Sequence, residues 1–239
     1  MVIRSWVKAH LPYPLVLAIA RAINRPWMED LHRTERLTEY TWVLGEVARY
    51  HQDGDRILDF GYAGGYFDEM LCQFGQVTGI DPRETPPIKH PNFHREWPWA
   101  QPLGLYGTIV SISTLEHLPT ARMWVEVMLS ALKPGGQLLI TIPCGAEPQQ
   151  FKGYRLWSLR ELLFWPNLTE FTIYRREQDY WQRLDGEFCE LAEGVEASHR
   201  AISEHLPEST EHQVNGLACL RFVQPLHPAV PSPTDADDD

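Results

Sequence analysis

The chain has 239 residues, 44% of them hydrophobic and 22% charged. That composition can close a core without metal or disulfide staples and excludes a disordered or fibrous chain. The formal net charge is −11, from 21 Lys and Arg against 32 Asp and Glu, and Asp235, Asp237, Asp238 and Asp239 crowd four of the acids into the last residues. No Lys/Arg cluster offsets them, so nucleic acid, whose phosphates demand such clusters, is not an expected partner.

At the N-terminus Arg4 and Lys8 precede LPYPLVLAIARA, and Ala18-Ile19-Ala20 has the small-x-small form of a cleavage site. Pro12 and Pro14 break that apolar stretch, and Arg21 and Arg25 follow it, which favours a helix over 14–24 packed on the domain over a secretory leader. No apolar run approaches the roughly 20 residues that cross a membrane. Cys72, Cys144, Cys189 and Cys219 lie far apart with no C-x-x-C pair; reduced thiols in a cytoplasmic protein, with no metal, are the expectation.

Residues 1–50 read as a helical segment, with Leu37, Tyr40, Leu44 and Val47 recurring at intervals of three and four. The pattern then changes. Short apolar runs at RILDFG (56–61), QVTGID (76–81), TIVSIS (108–113) and QLLITIP (137–143) alternate with helical stretches at about 65–74 and 120–132. Strands alternating with helices at this spacing predict an α/β fold, a mostly parallel sheet with helices on both faces. Pro134-Gly135-Gly136 is a turn from helix into strand. Ser158 with Glu161 three residues later is a capping box that opens a short helix over 158–165. TEFTIYR (169–175) and GLACLRFV (216–223) read as strands by their β-branched and aromatic content. Between them, 176–215 is polar and acidic with helical character, a lid, an interface for a second copy of the chain, or a disordered insertion. The division is a helical segment over 1–50, a ligand-binding domain over 51–224 and a disordered acidic tail over 225–239.

The richest stretch is Leu58-Asp59-Phe60-Gly61-Tyr62-Ala63-Gly64-Gly65-Tyr66, where the first strand meets a helix. Small residues there let a ligand approach the backbone at the carboxyl end of a parallel sheet. A dinucleotide loop wants G-x-G-x-x-G, but here the third position is Tyr66, whose bulk opposes a pyrophosphate and close helix packing. S-adenosylmethionine fits better. It has no phosphate to cradle, and its cationic amino and sulfonium groups suit Asp59 just before the first glycine. Asp81, 20 residues after Gly61 at the end of the second strand, is placed to accept hydrogen bonds from ribose hydroxyls.

In order and spacing, ILDFGYAGG, VTGIDP, YGTIVSISTLEHL and LKPGGQLLITIP resemble the class I S-adenosylmethionine-dependent methyltransferases, over about residues 35–223. TEYTWVL, GIDPRE, HPNF and SISTLEHL look more specifically like bacterial methyltransferases of glycan or secondary-metabolite biosynthesis. The resemblance implies a Rossmann-like, seven-stranded, mostly parallel sheet closed by an antiparallel edge hairpin, 169–175 with 216–223. It implies a cofactor site of Asp59, Gly61, Tyr62, Ala63 and Gly65 along the methionine and ribose, Asp81 on the ribose, Pro82 beside the adenine, Glu96 and Trp97 near the adenine amino group, and Ser113 near the methionine part. The sequence departs from the usual pattern at Ala63, in place of the middle glycine, and at FHREWPWAQP, in place of Gly-Asp followed by Leu-Pro.

Methyl transfer needs alignment and, for an oxygen or nitrogen acceptor, often a base, which favours histidine. His117 is the best placed, with loop ordering as its other use; His90, His94, His205 and His212 are remoter candidates. Trp97, Trp99, Tyr154, Trp157, Tyr180 and Trp181 border the expected pocket and suit a planar acceptor or a sugar face, and Phe151-Lys152-Gly153-Tyr154 occupies a common acceptor position of the family the chain resembles. The expected function is methyl transfer to an oxygen or nitrogen of a small molecule, a sugar or secondary metabolite. The alternative is a non-catalytic module of the same fold that serves a partner in a biosynthetic complex.

Overall fold

The computed structural model describes residues 35–62, 66–81, 93–94, 104–165, 167–177, 180–184, 206, 208–209 and 214–225. The expected helix over 14–24, most of the 176–215 stretch and the tail after Pro225 lie outside the described residues.

Helix α1 (Glu35–Tyr50) leads into strand β1 (Arg56–Phe60), the short helix α2 (Tyr66–Leu71) and strand β2 (Gln76–Ile80). Strands β3 (Phe93–His94) and β4 (Tyr106–Ile112) follow, then a 3-10 turn (Leu115–His117), helix α3 (Ala121–Ala131) and the long strand β5 (Leu132–Gly145). A small hairpin, β6 (Gln149–Phe151) and β7 (Tyr154–Ser158), precedes helix α4 (Leu159–Leu163). Strands β8 (Leu168–Glu177), β9 (Tyr180–Arg183) and β10 (Gly216–Val223) complete the described elements.

The strands pair in the order β3-β2-β1-β4-β5-β10-β8-β9, with β7 joined to the end of β5 and β6 to β7. From β3 to β5 every pairing is parallel, whereas β10 runs antiparallel between β5 and β8. The first seven strands of that order are the sheet expected from the sequence, and their helices lie on both faces. All seven residues of β4 are buried, as befits a central parallel strand covered on two sides. Alternation along the strands sorts the core. Leu58, Ile109, Leu138 and Ile140 face Val125, Met128 and Leu129 of α3, while Ile57, Val110 and Leu139 face Val43 and Val47 of α1 and Phe67 and Leu71 of α2.

Three strands depart from expectation. β9 falls inside the stretch read as helical; Tyr180–Arg183 pairs with β8, with Arg176 opposite Trp181 and Arg175 opposite Gln182. The Arg175 guanidinium donates to Gln182 Oε1 at 2.9 Å, so cross-strand pairing of long and aromatic side chains outweighs the polar composition. The hairpin β6–β7 likewise has no alternating apolar signal, since Gln149–Phe151 is only partly buried. The Pro134-Gly135-Gly136 turn is there, as an irregularity within β5; Gly135 has φ +75° and its N–H donates to Gln224 O at 2.9 Å.

Candidate functional site

The carboxyl ends of β1 and β2 meet at Gly61, whose N–H donates to Ile80 O at 2.7 Å. Gly61 has φ +92°, and a Cβ there would lie 2.1 Å from Thr114 Oγ1. Glycine is thus required twice, by a left-handed backbone and by the Thr114 side chain seated on its α-carbon. The turn after β4 and the turn after β1 are in direct contact.

Three buried carboxyl groups surround this junction. Asp59, at the penultimate position of β1, is 3% exposed; Asp68, in the first turn of α2, is 1% exposed; Asp81, the residue after β2, is 4% exposed. Asp68 lies within hydrogen-bonding reach of Asp59, and apart from that carboxyl neither of its oxygens meets a donor among the described residues. Burial and then the neighbouring Asp68 carboxyl raise Asp59 well above the usual carboxylate range, with Asp81 adding to the effect. Burial pushes Asp68 up to about 7. Tyr40 of α1 stacks on Phe67 with ring centroids 4.5 Å apart; burial raises it to about 12, with the charges of Asp59 and Asp68 contributing. Unpaired carboxylates in a dry setting hold protons unless a cation arrives.

The second part of the site is the turn after β4. Ser113, φ +42°, is one of two non-glycine residues with positive φ among the described residues. Its N–H donates to Thr141 O at 2.9 Å and its Oγ donates to Glu39 Oε1 at 2.5 Å. Glu116 follows, 6% exposed, with Oε2 unpartnered and its carboxyl pushed up to about 8 by burial. His117 is half exposed, and its Nε2 lies 3.9 Å from Glu116 Oε1. His117 Nδ1 sits 2.7 Å from Gly153 O; since a carbonyl only accepts, Nδ1 carries the hydrogen, and in the neutral ring Nε2 keeps its lone pair. Tyr154 meets the His117 ring edge-on at 6.3 Å, and Phe151 meets Tyr154 at 5.1 Å. Basic nitrogen and aromatic wall therefore share one rim, held by the β6–β7 hairpin.

Of the residues expected at the cofactor site, the structure brings Asp59, Gly61, Asp81 and, through Thr114, the Ser113 turn together. Tyr62 is buried, 5% exposed. Ala63, Gly65, Pro82, Glu96 and Trp97 lie outside the described residues, as do Trp99, His90, His205 and His212. His94 and Tyr180 are described by backbone alone, in β3 and β9. Trp157 lies in the core, 8% exposed, with Nε1 unpartnered and the Arg155 guanidinium 4.3 Å from its ring, so it is a wall residue and not a free stacking surface. Two participants were not anticipated: Asp68 and Glu39. Asp68 leaves a faint trace as an acid in the first turn of a helix, and Glu39 as an Arg36-to-Glu39 spacing of three. Among the described residues no group of His, Cys, Asp and Glu could hold a metal, and no helix is long and apolar enough to cross a membrane.

Comparison with known proteins adds the following. The family described as "Methyltransferase domain" matches residues 31–179, more than half the chain. The ubiquinone biosynthesis O-methyltransferase of Xanthomonas euvesicatoria pv. vesicatoria is 29% identical over 143 residues, 51% of this chain and 57% of that protein. The tRNA U34 carboxymethyltransferase of Idiomarina loihiensis is 25% identical over 177 residues, 63% of this chain and 55% of that protein. The chain thus spans about half the length of the curated relatives it matches. Among solved structures, the cyclase SpnF superposes with TM-score 0.56 at 18% identity, covering 78% of this chain and 81% of that one. The 1,6-didemethyltoxoflavin-N1-methyltransferase of Burkholderia thailandensis, solved with its acceptor and S-adenosylhomocysteine, superposes with TM-score 0.54 at 13% identity, covering 89% and 87%. These likenesses establish a class I methyltransferase fold.

Proposed function

The chain belongs to the methyltransferase-domain family, and on that premise we propose that it uses S-adenosylmethionine to methylate an oxygen or nitrogen of a small molecule, a planar metabolite or a sugar. The observation that carries this reading is the set of buried acids at the Gly61 turn. Asp59, Asp68 and Asp81 are each less than 5% exposed, and among the described residues no cation is paired with Asp68, whose neighbour is the Asp59 carboxyl. Such a set suits a ligand with fixed positive charge and hydroxyl donors, and it repels phosphate. The residues present therefore fit the cofactor that the family uses.

When bound, S-adenosylmethionine supplies an electrophilic methyl group and leaves as a neutral thioether. The chain's part is alignment, worth roughly 7–11 kcal/mol in well-oriented systems, and proton removal. Asp81 would take the ribose hydroxyls, while Asp59 and Asp68 would face the cationic end. His117 Nε2, left free by the Nδ1 bond to Gly153 O, would accept the proton of an acceptor hydroxyl or amine as its lone pair attacks. Phe151 and Tyr154 would flank the acceptor on the hairpin side.

Calorimetric titration of the chain with S-adenosylmethionine tests the first half. Micromolar-range binding is expected, weakened by Asp81→Ala about tenfold or more through loss of the ribose acceptor; a folded chain that binds neither S-adenosylmethionine nor S-adenosylhomocysteine overturns the reading. Transfer of a tritiated methyl group to a panel of phenols, sugars and amines tests the second half. With tRNA added to the panel, label in it would redirect the acceptor to nucleic acid, and cofactor binding with no transfer would favour the partner-module role.

A further inference from the structure

Glu39 lies on α1, within the TEYTWVL stretch but with no role assigned by the sequence, and is completely buried. Its Oε1 accepts hydrogen bonds from Ser113 Oγ at 2.5 Å and Thr141 Oγ1 at 2.7 Å. Its Oε2 accepts from the Arg36 guanidinium at 3.0 Å. If the alternation of β4 continued, residue 113 would follow Ile109 and face α3; instead its positive φ turns the hydroxyl to the α1 side, where Glu39 waits. A non-glycine residue stays in the left-handed region only where its surroundings over-determine it. Here two bonds do so, the hydroxyl on Glu39 and the N–H on Thr141 O.

The next residue carries the effect onward. Thr114 Oγ1 donates to Ile112 O at 3.0 Å, and the Thr114 side chain fills the space where Gly61 would carry a Cβ. Two residues further, Glu116 is buried in the field of Arg36 and Glu39, and His117 follows. A contiguous series of contacts thus runs from Glu39 through Ser113 and Thr114 to the first glycine of the cofactor turn. Glu39 also satisfies Arg36 and Thr141, so a variant loses stability along with the Ser113 contact, and unfolding is measured separately from ligand affinity. Only an acceptor for two hydroxyls at this point orients Ser113.

We propose that Glu39 is a positioning residue of the cofactor site: it fixes the turn after β4 through Ser113, and that turn fixes Gly61 through Thr114. The proposal rests on the reading that S-adenosylmethionine binds at the Gly61 turn.

The test is titration of the full chain and its variants with S-adenosylhomocysteine, alongside thermal unfolding without ligand. Glu39→Leu and Ser113→Ala are each expected to weaken binding about tenfold, the scale of a lost local constraint, while still unfolding cooperatively. The double variant is expected to bind no more weakly than either single, because both break one series of contacts. Glu39→Gln, which keeps an acceptor oxygen for the two hydroxyls, is expected to restore affinity to within about threefold of the parent. Penalties that add, or parental affinity in Glu39→Leu and Ser113→Ala, overturn the proposal. Where Glu39→Leu does not fold, Ser113→Ala decides alone, and unchanged affinity overturns it. A parent chain that does not bind S-adenosylhomocysteine defeats the reading of the site itself; a parent that binds, with indifferent variants, defeats only the role of Glu39.

Discussion

At the scale of single residues, the site is governed by acids that have lost their water. Asp68 ionises near 3.8 in the unfolded chain and near 7 in the folded one, because burial penalises its charge. Between those values the folded chain holds the extra proton. Its contribution to stability is therefore fully present at low pH and is lost as pH rises through about 7. Asp59 moves the same way, driven by burial and by Asp68. Asp68→Asn should therefore raise the unfolding temperature of the ligand-free chain at pH 8, by about 2–4 °C per kcal/mol recovered, and do much less at pH 5; an equal shift at both values would show that Asp68 is not protonated on folding. The same residue should make the sulfonium cofactor bind more tightly as pH rises from 6 to 8, with a smaller trend for the neutral thioether product. Calorimetry of both ligands across that range checks it, and Asp68→Asn should flatten the difference. Asp59 and Asp81 were legible in the sequence because a strand end, a glycine and a second strand end lie within one short βαβ unit. Glu39 was not, because its partner Ser113 is 74 residues away and only the packing of α1 on the sheet joins them.

Helices and strands were legible to the degree that burial imposes a period. β1, β2, β4 and β5 read as apolar runs because parallel strands are covered on both faces, and β10 read as a strand by its composition, with seven of its eight residues buried although its pairings are antiparallel. In α1 the stripe Leu37, Tyr40, Leu44 and Val47 named the right face. The fully buried positions are nevertheless Leu37, Glu39, Val43 and Val47, since Tyr40 and Leu44 only flank that cluster. β9 and the β6–β7 hairpin were missed because edge elements of three to five residues carry no such period. Capping chemistry, in contrast, is local and was read correctly. Ser158 Oγ accepts from the Glu161 N–H at 3.2 Å, and Glu161 Oε2 accepts from the Ser158 N–H at 3.1 Å. Glu161 also holds Arg155 of β7, so this cap fastens α4 to the strand that follows the Gly153 corner under His117. Ser158→Ala should cost about 1 kcal/mol, read as a lower urea midpoint with an unchanged slope. A changed slope would mean that α4 and the hairpin unfold apart from the sheet.

Over the whole molecule, the parallel half of the sheet must be joined to its antiparallel extension, and Arg221 spans that seam. It lies on β10 with 8% exposure. Its Nε donates to Gln137 Oε1 of β5 at 3.1 Å, one of its terminal nitrogens pairs with Glu170 of β8 at 2.8 Å, and its guanidinium sits 3.7 Å from the centroid of the Tyr50 ring at the end of α1. Glu46 of α1 is 3.8 Å away, and burial, followed by Glu170, raises its carboxyl above the usual range despite Arg221. Three elements therefore converge on the guanidinium of β10, whose planar fork and flat face allow the hydrogen bonds and the ring contact at once; lysine has neither the fork nor the flat face. Glu170 is half exposed, so that pair is screened and contributes little. The larger penalty for losing the cation comes from Gln137, which is buried, and from Glu46, which is partly buried. Arg221→Met should thus destabilise the chain by roughly 1–3 kcal/mol, the cost of leaving a buried polar group without its partner. Adding Glu46→Gln should return a substantial part of that loss, because the stranded acid is then gone, whereas Glu46→Gln alone should change little. Chemical denaturation of the three variants decides the matter. If the double variant is no more stable than Arg221→Met, the seam is held by the arginine's packing on Tyr50 and not by its charge.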